Sequence, residues 1–372
     1  MFVKDTTLLS KYKKYITVYG NTNLKKIYKI NYKNIFLKKN IIQSGSKIYV
    51  KQFLKYEQEK PSDVIEIHNR PNYFHIINTF KEKQKLVLYF HNDPLTMTGS
   101  RSIADRKKIL DDANKIIFNS HWSRKRFLEG IEGLHINSEK ISVIYQSTKT
   151  QTDNINNKKN WITFVGKLNK AKGYDVFAKA IKKILNKYPN WRAKIIGDEK
   201  REKIFLKHKN ADLLGFQKHN KVIEIFKKTS IAVACSRWEE PFGRTSLEAS
   251  ANGCAVIITN KGGLNETVTN AKIIKNLSVK DLTKYGLMDI ETTTPGSIRG
   301  WATAAIKGQA EALNSIAETL REFDKAMLLD LSNASRTIQY KAKAATQGYP
   351  NELNNIATTL GLLSKDGLVA IE

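Results

Sequence analysis

Apolar residues recur along the first 150 positions as short runs, "DVIEIH", "KLVLYFHND", "KIIFNS" and "ISVIYQS", separated by stretches such as "HWSRKRFLEG" that suit helices. Strands alternating with helices at this spacing pair in parallel through crossovers, which predicts an α/β layered domain over residues 1–150. Residues 151–160, "QTDNINNKKN", are polar and without apolar periodicity, as an interdomain linker is. The alternation then restarts. "WITFVG", "WRAKIIG", "IAVAC" and "AVIITN" read as four strands, while "KVIEIFKK" and "RTSLEASANG" read as helices. "YDVFAKAIKKILNKY" reads as an amphipathic helix with Phe177, Ile181, Ile184 and Leu185 on one face. This predicts a second α/β domain over 161–281. From residue 282 to 372 the chain is Ala-rich, and Ile306, Leu313, Ile316, Leu320, Phe323, Met327 and Leu331 recur at helical steps, which predicts a helical tail.

Composition narrows the class. With 372 residues, 41% hydrophobic and 26% charged, the chain has material for two cored domains, and no apolar run approaches the roughly 20 residues that span a bilayer. No secretion signal opens the chain, so a cytoplasmic location is expected. Cys235 and Cys254, the two cysteines, sit in apolar segments without Cys-x-x-Cys spacing and read as core residues. The net charge of +28 has three readings: nucleic acid as partner, an anionic membrane surface, or codon bias towards Lys, Asn and Ile. The excess lies wholly before the tail. Residues 281–372 hold 9 Lys or Arg against 11 Asp or Glu, and residues 1–280 hold 54 against 24. Dispersed lysines without a recognised nucleic-acid motif argue against nucleic acid and leave peripheral attachment to the inner face of the plasma membrane as the functional reading.

Two stretches carry chemistry. In "SRWEEPFGRTSLEASANGCAVIITNKGGLNETV" the chain leaves a strand, turns at Pro241 and Gly243 and enters a helix, so Glu240 falls in the loop and Glu248 inside the helix. Open parallel sheets bind ligands at that end of their strands. The two carboxylates suit two rings of one ligand; they also suit a solvated surface beside a tight turn. In "FVGKLNKAKGYD" a strand ends at Gly166, Lys167 and Lys172 follow, and Gly173 leads into a helix. Two ammonium groups near a helix N-terminus make a site for a doubly charged phosphate.

Together these elements resemble glycosyltransferase family 4, a retaining group with the GT-B fold of two Rossmann-like domains facing a cleft, over about residues 63–281. The family pattern, Glu-x7-Glu followed by Gly-Gly-x-x-Glu, is met by Glu240, Glu248, Gly262, Gly263 and Glu266. The resemblance implies that Glu240 contacts the donor sugar with backbone amides near Phe242 and Gly243, and that Glu248 holds the ribose. It places Lys167 and Lys172 on the diphosphate, and Gly215 and Phe216 along the base. In the first, acceptor-side domain it implies that His91 of "YFHNDP" faces the sugar; a hydrogen-bonded loop histidine is the alternative. His68, Asn69 and Arg70 of "EIHNRP", and Asn119, Ser120 and Arg124 of "NSHWSRKRF", resemble lipopolysaccharide-type members.

The activity so implied is transfer of a sugar, with retention, from a nucleotide-diphosphate donor to a saccharide or glycolipid acceptor of the cell envelope, as a hexosyltransferase. No cofactor beyond the nucleotide-sugar co-substrate is expected. No metal is expected either, since the chain lacks Asp-x-Asp. A sugar-nucleotide epimerase of the same architecture and a non-catalytic basic binding protein are the alternatives. Two departures stand out. The first 60 residues contain Gly20 and Gly45 only, in no Gly-rich loop, so the first domain reads as truncated by a strand. The tail matches nothing typical of the family and reads as a fusion, a frameshift or a joined fragment.

Overall fold

The computed structural model describes residues 2–22, 27, 29–37, 44–133, 138–148, 158–268 and 271–283. The expected helical tail and most of the expected linker lie outside the described residues. The first half contains α1 (Phe2–Leu9), β1 (Thr17–Gly20), β2 (Asn31–Asn34), α2 (Gly45–Glu59), β3 (Val64–His68), α3 (Pro71–Asn78), β4 (Lys85–Phe90), α4 (Ile103–Asp112), β5 (Lys115–Phe118), α5 (His121–Leu128) and β6 (Ile141–Val143). Strands β3 to β6 form one parallel sheet in sequence order, and β1 and β2 form a separate parallel pair. Phe74, Leu86, Leu88, Phe90, Ile116, Phe118 and Phe127 fill the core of this half.

The second half contains β7 (Lys159–Val165), α6 (Tyr174–Lys187), β8 (Arg192–Ile196), β9 (Ala211–Leu213), α7 (His219–Lys228), β10 (Thr229–Ala234), α8 (Arg244–Ala251), β11 (Ala255–Thr259), β12 (Ala271–Ile274) and α9 (Val279–Asp281). All six strands are parallel, in the order β12-β11-β10-β7-β8-β9. Both faces are covered, so β10 and β11 are near-continuous apolar runs. On one face Ile231, Val233 and Ile257 pack with Phe177, Ile181, Ile184 and Leu185 of α6. On the other Ala232, Val256 and Ile258 pack with Val222, Ile225 and Phe226 of α7.

Four strands were expected in this half and six are found. The additions, β9 and β12, are three- and four-residue edge strands with half-exposed positions, too short to show a period of two. Strand β7 begins at Lys159, inside the span expected to be linker. The order matters more for function. The chain starts at the centre, runs outward through β8 and β9, and returns to β10 on the other side of β7. The strand order therefore reverses between β7 and β10, and the C-terminal ends at such a switch point are the place where open parallel sheets bind ligands.

Candidate functional site at the strand ends

Gly173 caps the N-terminus of α6 with φ +72°, and a Cβ there would lie 1.9 Å from the carbonyl oxygen of Cys235. Only glycine lets the β7–α6 loop lie directly on the end of β10. Arg237 N and Trp238 N donate to Ala171 O at 2.8 and 3.0 Å and complete the contact. Lys172 is thereby brought onto Glu240, 68 residues away in the chain, and the two form an ion pair. Lys167 sits exposed in the same loop.

The Gly-Gly turn is built around the backbone of Glu240. A Cβ at Gly262, φ +60°, would lie 2.2 Å from Glu240 O, and Gly263 N donates to that oxygen at 2.6 Å. Gly243, φ +100°, caps α8. The amides of Phe242 and Gly243 donate to no described residue, so two N–H groups stand free at a helix start beside Glu240. The Phe242 ring is buried and stacks on Tyr145 with centroids 5.9 Å apart.

Glu248 is 5% exposed, inside α8 as the spacing predicted. Its Oε1 accepts from His219 Nε2 at 2.9 Å and from Arg244 Nε at 2.6 Å. Neither partner stood out in the sequence: Arg244 follows from helical i,i+4 spacing, while His219 arrives from α7 and leaves no sequence signal. Gly215, φ +63°, has open space beside it, and Phe216 next to it is 78% exposed.

His91 follows β4 and is the centre of a chain of hydrogen bonds. Gln146 Nε2 lies 3.0 Å from His91 Nδ1, His91 Nε2 lies 3.0 Å from His68 Nδ1, and His68 Nε2 lies 2.9 Å from Glu66 Oε1. With the Gln146 amide donating, His91 Nδ1 accepts, its Nε2–H donates to His68, and His68 Nε2–H donates to Glu66. Burial, reinforced by the neighbouring His68, pushes the His91 pKa down to about 3, so the ring is neutral. Tyr89 stacks on it at 4.3 Å, and Phe2 of α1 meets it edge-on at 4.9 Å. Both ring nitrogens are thus taken within the protein.

Asn69, a non-glycine residue at φ +58°, accepts from His91 N and Asn92 N at 3.1 and 3.0 Å. Asn119 is buried, donates to His91 O at 2.9 Å and accepts from Ser123 Oγ at 2.8 Å. These two residues, expected on the acceptor side, brace the His91 loop here. Arg70 and Arg124 are exposed, and Arg70 bonds the Asn69 carbonyl.

The two halves meet at the same strand ends. Ser120 Oγ donates to Pro241 O at 2.5 Å. The Glu266 carboxylate accepts from His121 N at 2.6 Å and Trp122 N at 2.9 Å, satisfying the first amides of α5 from the other half of the chain. The last residue of the Gly-Gly-x-x-Glu pattern is therefore a helix cap across the two halves. Both cysteines are buried free thiols, raised to about 12 by burial. Among the described residues no helix is long and apolar enough to cross a membrane.

Comparison with known proteins places this geometry. The family model "Glycosyl transferases group 1" matches residues 146–285, the half that holds Lys172, Glu240 and Glu248. YtcC of Bacillus subtilis, named as a glycosyltransferase, is 25% identical over 236 residues, 55% of this chain and 57% of YtcC. The chain spans about half the length of the curated relatives it matches. The crystal structure of Anabaena HepE in complex with UDP is 19% identical with a TM-score of 0.64, covering 86% of this chain and 95% of HepE. That of WaaG, a glycosyltransferase involved in lipopolysaccharide biosynthesis, is 14% identical with a TM-score of 0.54, covering 82% and 89%. The first half thus shares the fold of these proteins, while the family match itself rests on the second half.

Proposed function

We propose that the chain is a retaining glycosyltransferase that moves a sugar from a nucleotide-diphosphate donor to a saccharide or glycolipid acceptor of the cell envelope. The observation that carries this reading is the ion pair of Lys172 with Glu240 at the switch point between β7 and β10, with Glu248 buried in the helix that follows. The group 1 match over that half and the UDP in the crystal structure of HepE support a nucleotide donor; the name of WaaG supports an envelope acceptor.

The leaving group dictates the roles. Breaking the anomeric bond develops negative charge on the departing diphosphate, so cations fixed at the phosphates stabilise the transition state more than the ground state. Lys172, Lys167 and the start of α6 supply that field without a metal. The free amides of Phe242 and Gly243 hold the sugar side, and Glu240, released from Lys172 as the phosphates arrive, accepts from sugar hydroxyls. Glu248 has its Oε1 saturated by His219 and Arg244 and offers Oε2 to the ribose diol. The neutral His91 forms an uncharged wall across the crevice; it reaches a sugar hydroxyl through Nδ1 only where Gln146 gives way.

Titration calorimetry with UDP tests the reading. Lys172→Ala and Glu248→Ala should each weaken binding by tenfold or more, since hydrogen bonds to charged groups contribute about 1.5–3 kcal/mol. Unchanged affinity in both variants would overturn it. Product analysis with donor alone then separates transfer from epimerisation, which needs no acceptor.

A further inference from the structure

The structure assigns a membrane contact to the segment that joins α1 to β1. We infer that residues 9–15, "LSKYKKY", dock the protein on an anionic bilayer surface. Three large side chains in these seven residues stand in solvent: Leu9 is 76% exposed, Tyr12 58% and Tyr15 86%. Lys11 and Lys14 are exposed between them, and Lys13 is half-exposed in the short 3₁₀ turn. The Lys11 ammonium lies 5.0 Å from the Tyr12 ring centroid, so a charge and an aromatic surface adjoin there. Tyrosine rings settle at the headgroup level, aliphatic side chains enter the acyl boundary, and lysines are drawn to anionic headgroups. Leu9 decides between a lipid and a nucleic-acid partner, because an aliphatic side chain has no π-face on which a base can stack.

The position gives the contact a purpose. Leu9 ends α1 and Phe2 begins it, and the Phe2 ring lies against His68, Tyr89 and His91 with centroids at 6.1, 5.2 and 4.9 Å. At 1.5 Å per residue the helix puts the basic-aromatic segment roughly 10 Å along its axis from Phe2, the residue whose ring meets His91. Asp5, midway along α1, lies 3.8 Å from Arg244, the residue that bonds Glu248. A bilayer held at residues 9–15 is therefore one short helix away from the crevice, close enough for an acceptor that stays in the membrane.

The test is flotation of the full chain with vesicles of phosphatidylcholine containing phosphatidylglycerol, against vesicles of phosphatidylcholine alone. Binding is expected to the anionic vesicles and to fall with salt. Reversing three charges, Lys11→Glu with Lys13→Glu and Lys14→Glu, should weaken it by more than about a hundredfold, at roughly fivefold for each lysine removed. Tyr12→Ser with Tyr15→Ser should weaken the salt-resistant part of binding. The matched control is Lys179→Glu with Lys182→Glu and Lys183→Glu, the same charge change on the exposed face of α6, which should cost only a few-fold. Equal losses from the two triple variants would mean that bulk charge does the binding and would overturn the assignment. So would absence of binding to anionic vesicles, or binding to single-stranded RNA that the vesicles fail to displace. UDP affinity, read in the same samples, should be unchanged in every variant; this keeps a failure of membrane docking distinct from a failure of the transferase reading.

Discussion

The two halves of the chain carry opposite kinds of polar group at their strand ends. On the β7–β10 side the polar groups form ion pairs: Lys172 against Glu240, and Glu248 against Arg244, with His219 hydrogen-bonded to the same Glu248 oxygen. On the β3–β4 side they form a hydrogen-bonded chain around the neutral, half-buried imidazole of His91, running from Gln146 through His68 to the Glu66 carboxylate. An ionic wall tolerates exchange of partners, because a phosphate can replace a carboxylate on a lysine. A neutral imidazole bonded at both ring nitrogens does not, because each group removed leaves another unsatisfied. The difference suits a site whose one side must grip and release an anion while the other side keeps its shape.

The largest effect should come from the joint that holds the ionic side together. Gly173→Ala puts a Cβ into the Cys235 carbonyl at a positive φ, and should lower unfolding free energy by about 3 kcal/mol or more, read by chemical denaturation. A near-native midpoint would show that the two loops are not in the contact described. Next is the neutral side. Its depressed histidine pKa means that the unfolded chain takes up a proton between about pH 6.5 and 3 that the folded chain refuses, so stability falls as pH drops through that window. The loss at His91 should reach about 3 kcal/mol by pH 4.5. It should be absent in His91→Gln, and equal slopes in both proteins would mean that the ring is not buried neutral.

Smaller effects probe the seam between the halves. Glu266→Ala leaves the first amides of α5 without their carboxylate and should cost about 1–2 kcal/mol while UDP affinity stays within a few-fold. An effect confined to UDP binding would instead make Glu266 a ligand contact. The smallest change is expected from Lys167→Ala. Its exposed ammonium should contribute less than about 1 kcal/mol to nucleotide binding, and a loss as large as that of Lys172→Ala would redraw the phosphate site.

Much of the ionic side was legible in the sequence because its residues sit at fixed offsets from strand ends. Lys172 and Gly173 follow β7, Glu240 follows β10, and Glu248 is about one turn into the next helix. The buried face of α6 was legible for the same local reason: Phe177, Ile181, Ile184 and Leu185 repeat with the helix. The neutral side was visible only as isolated histidines. What makes them a unit is pairing between β3 and β4, which sets His68 beside Tyr89, together with Gln146 arriving from beyond β6. No spacing rule encodes a contact made across three strands. Glu266 shows the same limit, since its place in the pattern was evident and its partners, amides 145 and 144 residues away, were not.

The pairing of Lys172 with Glu240 also shapes what the resting protein ignores. A lysine already matched by its own carboxylate is a poor trap for stray inorganic anions, which must compete with a tethered rival at high effective concentration. If the donor binds as proposed, a molecule that rewards the exchange at several points at once, through two phosphates and the ring at each end, gains enough to break the match. Selectivity against small anions would then reside in the ion pair itself.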